Sequence, residues 1–233
     1  IPLPVTALLG TAFCVLAGLG SAKSIFASFA HPIIFLFIGS FFLAEAMTVH
    51  GVDRRFASWM LALPWVGARP NRILLAIGTV TAVISMWISN TAAAALMLPV
   101  AMGVLATLHA SWTSDRATDI DRYSIAAMLV LSYAATAGGL ATIIGTPPNL
   151  IGIGLIAQQA GTSISFLTWM AFGLPLAILM LLLSWALLCW AYPTQASILP
   201  PLERHLRDQR QNLGPWTRGQ INACIAFGGA VVF

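Results

Sequence analysis

From Tyr123 to Leu202 the chain runs for eighty residues without one Asp, Glu, Lys or Arg, and Ile73 to Ser114 is equally uncharged. A soluble domain carries about 25% charged residues; this chain carries 8%, against 59% hydrophobic, with a mean hydropathy of +0.88. Sequence so poor in charge folds in lipid, where no water is present to satisfy loose backbone groups and only helices or closed barrels can cross. The expected fold class is an all-α polytopic membrane protein. The net charge of +4 then reports loop arginines beside apolar spans, a topology signal, and implies no nucleic-acid partner.

Both uncharged runs are interrupted. Ser89-Asn90-Thr91 breaks the first and Gly145-Thr146-Pro147-Pro148-Asn149 the second. Polar groups at membrane depth are costly and usually line a cavity or hold a ligand. Two broken apolar segments are the sequence signature of a secondary-transporter binding site.

A crossing needs about 20 apolar residues. Val5–Ala22 and Pro32–Val49 are candidate spans, and Val52–Leu63, with Val52, Phe56, Trp59, Met60 and Leu63 at helical spacing, reads as a short helix in the membrane surface. Ile73–Leu108 is too long for one crossing; broken at Ser89–Thr91, it gives two arms of about 16 residues, roughly 24 Å each, which suits a re-entrant hairpin. Tyr123–Ala160 must break near Gly145-Thr146, because proline removes a backbone donor and disfavours helix in the residue before it. Leu167–Tyr192 closes the set and Ile221 begins a further span. The chain opens Ile1-Pro2-Leu3-Pro4 and stops inside that last run, so it reads as a piece of a longer protein.

Segments 51–72, 109–122 and 203–218 hold 4, 2 and 4 Arg, and Lys23 is the one basic residue elsewhere. If the hairpin enters and leaves on one side, all three segments share that side, which the positive-inside rule makes cytoplasmic. The expected division is residues 1–63 as scaffold, 64–193 as transport part, 194–218 as a cytoplasmic basic loop, and 219–233 as the start of the next span.

At a break, the arm ending near Ile88 offers carbonyls and the negative end of its dipole to a cation. The arm starting near Thr91 offers N–H groups and the positive end to an anion. Ser85 and Ser89, four apart, share a helix face, Asn90 both accepts and donates, and Gly145 and Thr146 bring a carbonyl and a hydroxyl. With neither acid nor Arg in either break, a bound cation is held by neutral oxygens, which suits Na⁺ better than Ca²⁺ or Mg²⁺.

Ser85-Met86-Trp87-Ile88-Ser89-Asn90-Thr91 with Met97-Leu98-Pro99, and Gly138-Gly139-Leu140-Ala141-Thr142-Ile143-Ile144-Gly145-Thr146-Pro147-Pro148-Asn149, resemble the two signature motifs of the divalent anion/sodium symporters, the dicarboxylate, citrate and sulfate carriers of the ion-transporter superfamily. The resemblance covers essentially the whole chain. It implies a fold of two inverted repeats, of which this chain is the first, each with a re-entrant hairpin and a broken helix. It further implies a homodimer with an elevator motion in the plasma (bacterial inner) membrane. Na⁺ would lie at Ser85, Ser89, Asn90 and Gly145, and a substrate carboxylate on Asn90 and Thr91 with Thr146 nearby. Pro147, Pro148 and Asn149 would mark the helix break. The implied activity is Na⁺-coupled transport of a small divalent anion such as succinate, malate or sulfate. A Na⁺-independent dicarboxylate antiporter is the alternative.

Blander roles compete. Ser85 can bond back to its own helix, and Gly138-Gly139 serves close helix packing. Glu45, the one acid inside a span, is expected to pair with an Arg. Cys14, Cys189 and Cys224 lack disulfide or metal spacing and read as buried thiols. His31, His50, His109 and His205 have no ligand partner at i+3 or i+4. A membrane hydrolase needs a nucleophile with a base, and Ser89 has no His or Lys close in sequence.

Overall fold

The computed structural model describes residues 2–30, 32–61, 66, 69–111, 117–193 and 214–232. Two compact units divide the chain, Ile1–Gly39 and Ser40–Phe233. The boundary expected at 63/64 falls inside the second. Among the described residues every regular element is helical.

In the first unit, α1 spans Leu3–Leu16 and α2 spans Ala22–Phe26, capped by Ser21. Gly18, at φ 72°, turns the chain out of α1, so the expected Val5–Ala22 span ends early. At 14 residues, α1 is about 21 Å long. Helix α3 occupies Pro32–Val49, as expected, and runs through the Gly39/Ser40 division, with Glu45 exposed on the part that belongs to the second unit.

In the second unit, α4 covers Val52–Leu61, and positions 62–63 of the expected surface helix lie outside the described residues. Its inward side carries Val52 and Ala57, but also Asp53 at 3% exposure, while Trp59 stays 49% exposed. Helices α5 (Pro70–Ser85), α6 (Asn90–Ser111), α7 (Ala117–Ala141), α8 (Pro147–Ala160), α9 (Phe166–Ala191) and α10 (Arg218–Val232) follow. Thr217 and Gln220 cap α10 reciprocally, each backbone N–H donating to the other's side-chain oxygen at 3.2 and 3.3 Å. Among the described residues, Asp119–Ala141 and Phe166–Ala191 are long and apolar enough to cross a membrane.

Helix α7 is the hub, with α5, α6 and α9 packed on it. The Tyr123 hydroxyl donates to Pro70 O at one end of α5, and Thr142 meets Met86 at the other, so α5 and α7 run parallel. Trp169 donates to Leu140 O at 3.0 Å and Trp185 to Asn71 O at 2.8 Å, which sets α9 antiparallel to both. Asn90 begins α6 beside Gly139, and α7 starts at the opposite end. Helix α6 therefore carries the chain back, and α5–α6 form a helical hairpin.

Apolar attraction between helices is weak in lipid, so close contact depends on small residues. A Cβ on Gly138 would meet Ala82 O at 2.1 Å, so the backbones of α5 and α7 touch there. Alanines at 76, 126, 127, 134 and 137 are likewise buried. Thr79, Thr81, Ser124, Ser132 and Thr136 satisfy their hydroxyls on carbonyls four residues back. Cys14, Cys189 and Cys224 are free and only half-buried.

Candidate functional site

The first break is a four-residue turn, Met86–Ser89, and it starts earlier than the sequence suggested. Asn90 and Thr91 are the first residues of α6, because Ser89 caps it: its hydroxyl accepts from Ala92 N at 3.2 Å and its carbonyl from Ala93 N at 2.9 Å. Both Ser89 oxygens thus hold the helix start. Among the described residues the N–H groups of Asn90 and Thr91 have no acceptor, which leaves two donors at the positive end of α6. The second arm of the hairpin is 22 residues, about 33 Å, longer than the 16 expected, so arm length alone does not require re-entry.

The second break is Thr142–Thr146. Pro147 and Pro148 are not the break; they open α8 at its first two positions, where a missing N–H costs nothing. Thr146, before a proline, is extended at φ −150°, ψ 142°. Asn149 sits in the first turn of α8 and reaches back, its amide donating to Gly139 O and Thr142 O, each at 2.8 Å. With Trp169 on Leu140 O, the carbonyls at the end of α7 are claimed by side chains.

The two breaks meet at α7. Ser85, fully buried, has Oγ 2.7 Å from Ala135 O and 2.9 Å from Asn90 Oδ1. A hydroxyl has one proton and two lone pairs, so it serves one of these acceptors and leaves the other's lone pair facing it. A cation on Ser85 Oγ and Asn90 Oδ1 resolves the conflict by sending the proton to Ala135 O. Ser85 Oγ and Asn90 Oδ1, both neutral oxygens, are then left as the two atoms that could ligate a small monovalent cation.

Gly139 lies against this cluster: a Cβ there would stand 2.3 Å from Asn90 Oδ1. Gly145 packs on the Gly139 backbone, with a virtual Cβ 2.6 Å from Gly139 O, so both Asn90 and Gly145 adjoin Gly139. Thr142 ties the breaks together, donating to Met86 O and accepting from Gly145 N. Thr91 is exposed at the first break and Thr146 half-buried at the second. The sequence reading assigned no role to Thr142 or to Gly139 as a spacer; their partners at 86 and 90 are about fifty residues away, so spacing gave no signal.

The citrate transporter family model, CitMHS, matches residues 1–233. The sodium-dependent dicarboxylate transporters SdcS of Staphylococcus aureus strains USA300 and N315 are 33% identical over 216 residues, covering 92% of this chain and 41% of each relative. The chain thus spans about two fifths of the length of the curated relatives it matches. The relatives are transporters and not enzymes, which removes the hydrolase reading and bears out the resemblance drawn from the two motifs. The chain belongs to the citrate transporter family of integral membrane carriers.

Proposed function

We propose that this chain carries the first half of the ion and substrate site of a Na⁺-coupled carrier for a small divalent anion, a dicarboxylate by preference. The Ser85–Asn90–Ala135 oxygen cluster is the observation that carries this reading, and the SdcS relatives, sodium-dependent dicarboxylate transporters, agree with it. Ser85 and Asn90 hold the ion, Gly145, which packs on Gly139, adds a carbonyl from the second break, and Ser89 fixes the turn from which Asn90 projects. The ion supplies positive charge next to the bare N–H groups of Asn90 and Thr91, where one carboxylate of the substrate binds. Thr146 provides a further hydroxyl from the second break. The binding is weak and reversible because dipoles and neutral groups, not an Arg, hold the anion.

In this reading α5–α6 is a re-entrant hairpin, 64–193 moves against a scaffold in an elevator motion, and a second, inverted repeat completes the site in a homodimer. The arginine-rich segments 51–72, 109–122 and 203–218 face the cytoplasm. The antiparallel return of α6 supports this side assignment, since entry and exit then share one face.

Uptake of radiolabelled succinate by the full-length protein in proteoliposomes tests the reading. An inward Na⁺ gradient drives uptake in the wild type, and Asn90→Ala and Ser85→Ala lower it at least about tenfold with normal folding. Counterflow that ignores Na⁺ would establish an antiporter instead. Unchanged uptake in Asn90→Ala would reduce Asn90 to a structural residue.

A further inference from the structure

Away from the breaks, α4 and α10 enclose a cavity of about 530 Å³, lined by Val52, Arg55, Phe56, Trp59, Trp216 and Cys224 among others. Arg55 is fixed there. Its Nη2 donates to Gly214 O at 2.9 Å and Pro215 O at 3.1 Å, and its guanidinium carbon lies 4.8 Å from the centre of the Trp216 ring. A guanidinium so stacked and tethered is a positive charge whose ordering precedes any ligand. Arg218, at the start of α10, is exposed three residues beyond Pro215.

Val52 and Phe56 also line a second cavity of about 170 Å³ that reaches Ile84, Trp87, Ile88 and Phe227. Val52 and Phe56 are walls common to both cavities, which together outline a trench with Arg55 at its outer end and mainly apolar side chains at its inner end. The inner end abuts the tip of the first break, where Trp87 meets Phe227 edge-on at 4.6 Å. The inner part is walled mainly by apolar side chains, Val52, Phe56, Ile84 and Phe227 among them, so a ligand with one negative head and an apolar tail enters in one orientation. Amphipathic α4, with Trp59 exposed, has the character of a helix at headgroup depth.

We propose that this trench holds one anionic phospholipid, its phosphate on Arg55 and one acyl chain running past Val52 and Phe56 to Trp87 and Ile88. Charge complementarity selects the occupant: basic pockets beside membrane helices take anionic headgroups, and a soluble dicarboxylate has no tail for the inner cavity. The chain end buttresses Trp87 and so stiffens the turn from which Asn90 projects.

The test uses the purified full-length carrier, native mass spectrometry with phosphatidylglycerol or phosphatidylcholine, and quenching of tryptophan fluorescence by phosphatidylglycerol with brominated chains. The wild type keeps one phosphatidylglycerol per subunit in preference to phosphatidylcholine. Arg55→Gln weakens its retention about fivefold. Cys224→Trp, which fills the outer cavity and leaves Arg55 in place, removes retention and quenching, and it decides the matter if Arg55→Gln fails to fold. Equal retention of both lipids, or phosphatidylglycerol binding unchanged in folded Cys224→Trp, overturns the proposal, as does a trench that takes no lipid because another part of the protein fills it.

Discussion

Replacing Gly139 by alanine tests the proposed ion site without touching any of its ligands. The added Cβ would stand 2.3 Å from Asn90 Oδ1, and ordinary contact begins at 3.4 Å, so the amide oxygen must retreat by about 1.1 Å. The Ser85–Asn90 contact at 2.9 Å has about 0.6 Å of slack before it ceases to be a hydrogen bond. The retreat exceeds that slack, and Asn90 Oδ1 leaves the cluster while Ser85 keeps Ala135. Disturbing a group that orients a metal ligand lowers affinity about 10–100-fold, or roughly 1.4–2.7 kcal/mol. Sodium titration of succinate uptake by the full-length protein in proteoliposomes reads this directly. The half-saturating Na⁺ concentration rises by that factor in Gly139→Ala, and saturating Na⁺ restores much of the maximal rate. A folded Gly139→Ala protein with wild-type Na⁺ dependence would refute the assignment of Asn90 Oδ1 as an ion ligand.

Two further substitutions separate scaffold from site. Asn149→Ala strips the side-chain donors from Gly139 O and Thr142 O; the purified protein loses about 1–3 kcal/mol of thermal stability, and the second break loosens enough to lower transport as well. Tyr123→Phe removes only the 3.1 Å hydrogen bond to Pro70 O from a fully buried ring, costing about 0.5–1.5 kcal/mol with Na⁺ dependence unchanged. Tyr123→Ala opens a cavity and costs about 3–5 kcal/mol.

The existence of both breaks was legible because intramembrane polarity is costly, and Ser89-Asn90-Thr91 and Gly145–Asn149 stood alone in long uncharged runs. Their positions were less so. Ser89 is a good N-cap and Pro147 a good first helical residue, and giving those local rules precedence over the polar triplet places both turns correctly, before Asn90 and before Pro147. The span Pro32–Val49 matched because its apolar run holds no proline or left-handed glycine after Pro32, whereas Gly18 ended α1 early through a left-handed turn. Thr142 and Gly139 stayed hidden because their roles exist only once α5 and α7 lie parallel. The burial of Asp53 leaves no mark in the apolar spacing of Val52–Leu63, because it depends on how α4 rests against its neighbours.

The paired prolines at the start of α8 have a consequence for release. An ordinary helix start presents amide hydrogens that clasp an anion at fixed angles; Pro147 and Pro148 have none, and the Asn149 amide is already given to Thr146 O. What remains at that pole is a diffuse pull without directional grip. In the carrier proposed above, an anion at the second break would be attracted but not latched there, with the hydroxyl of Thr146 as its one directional partner on this side.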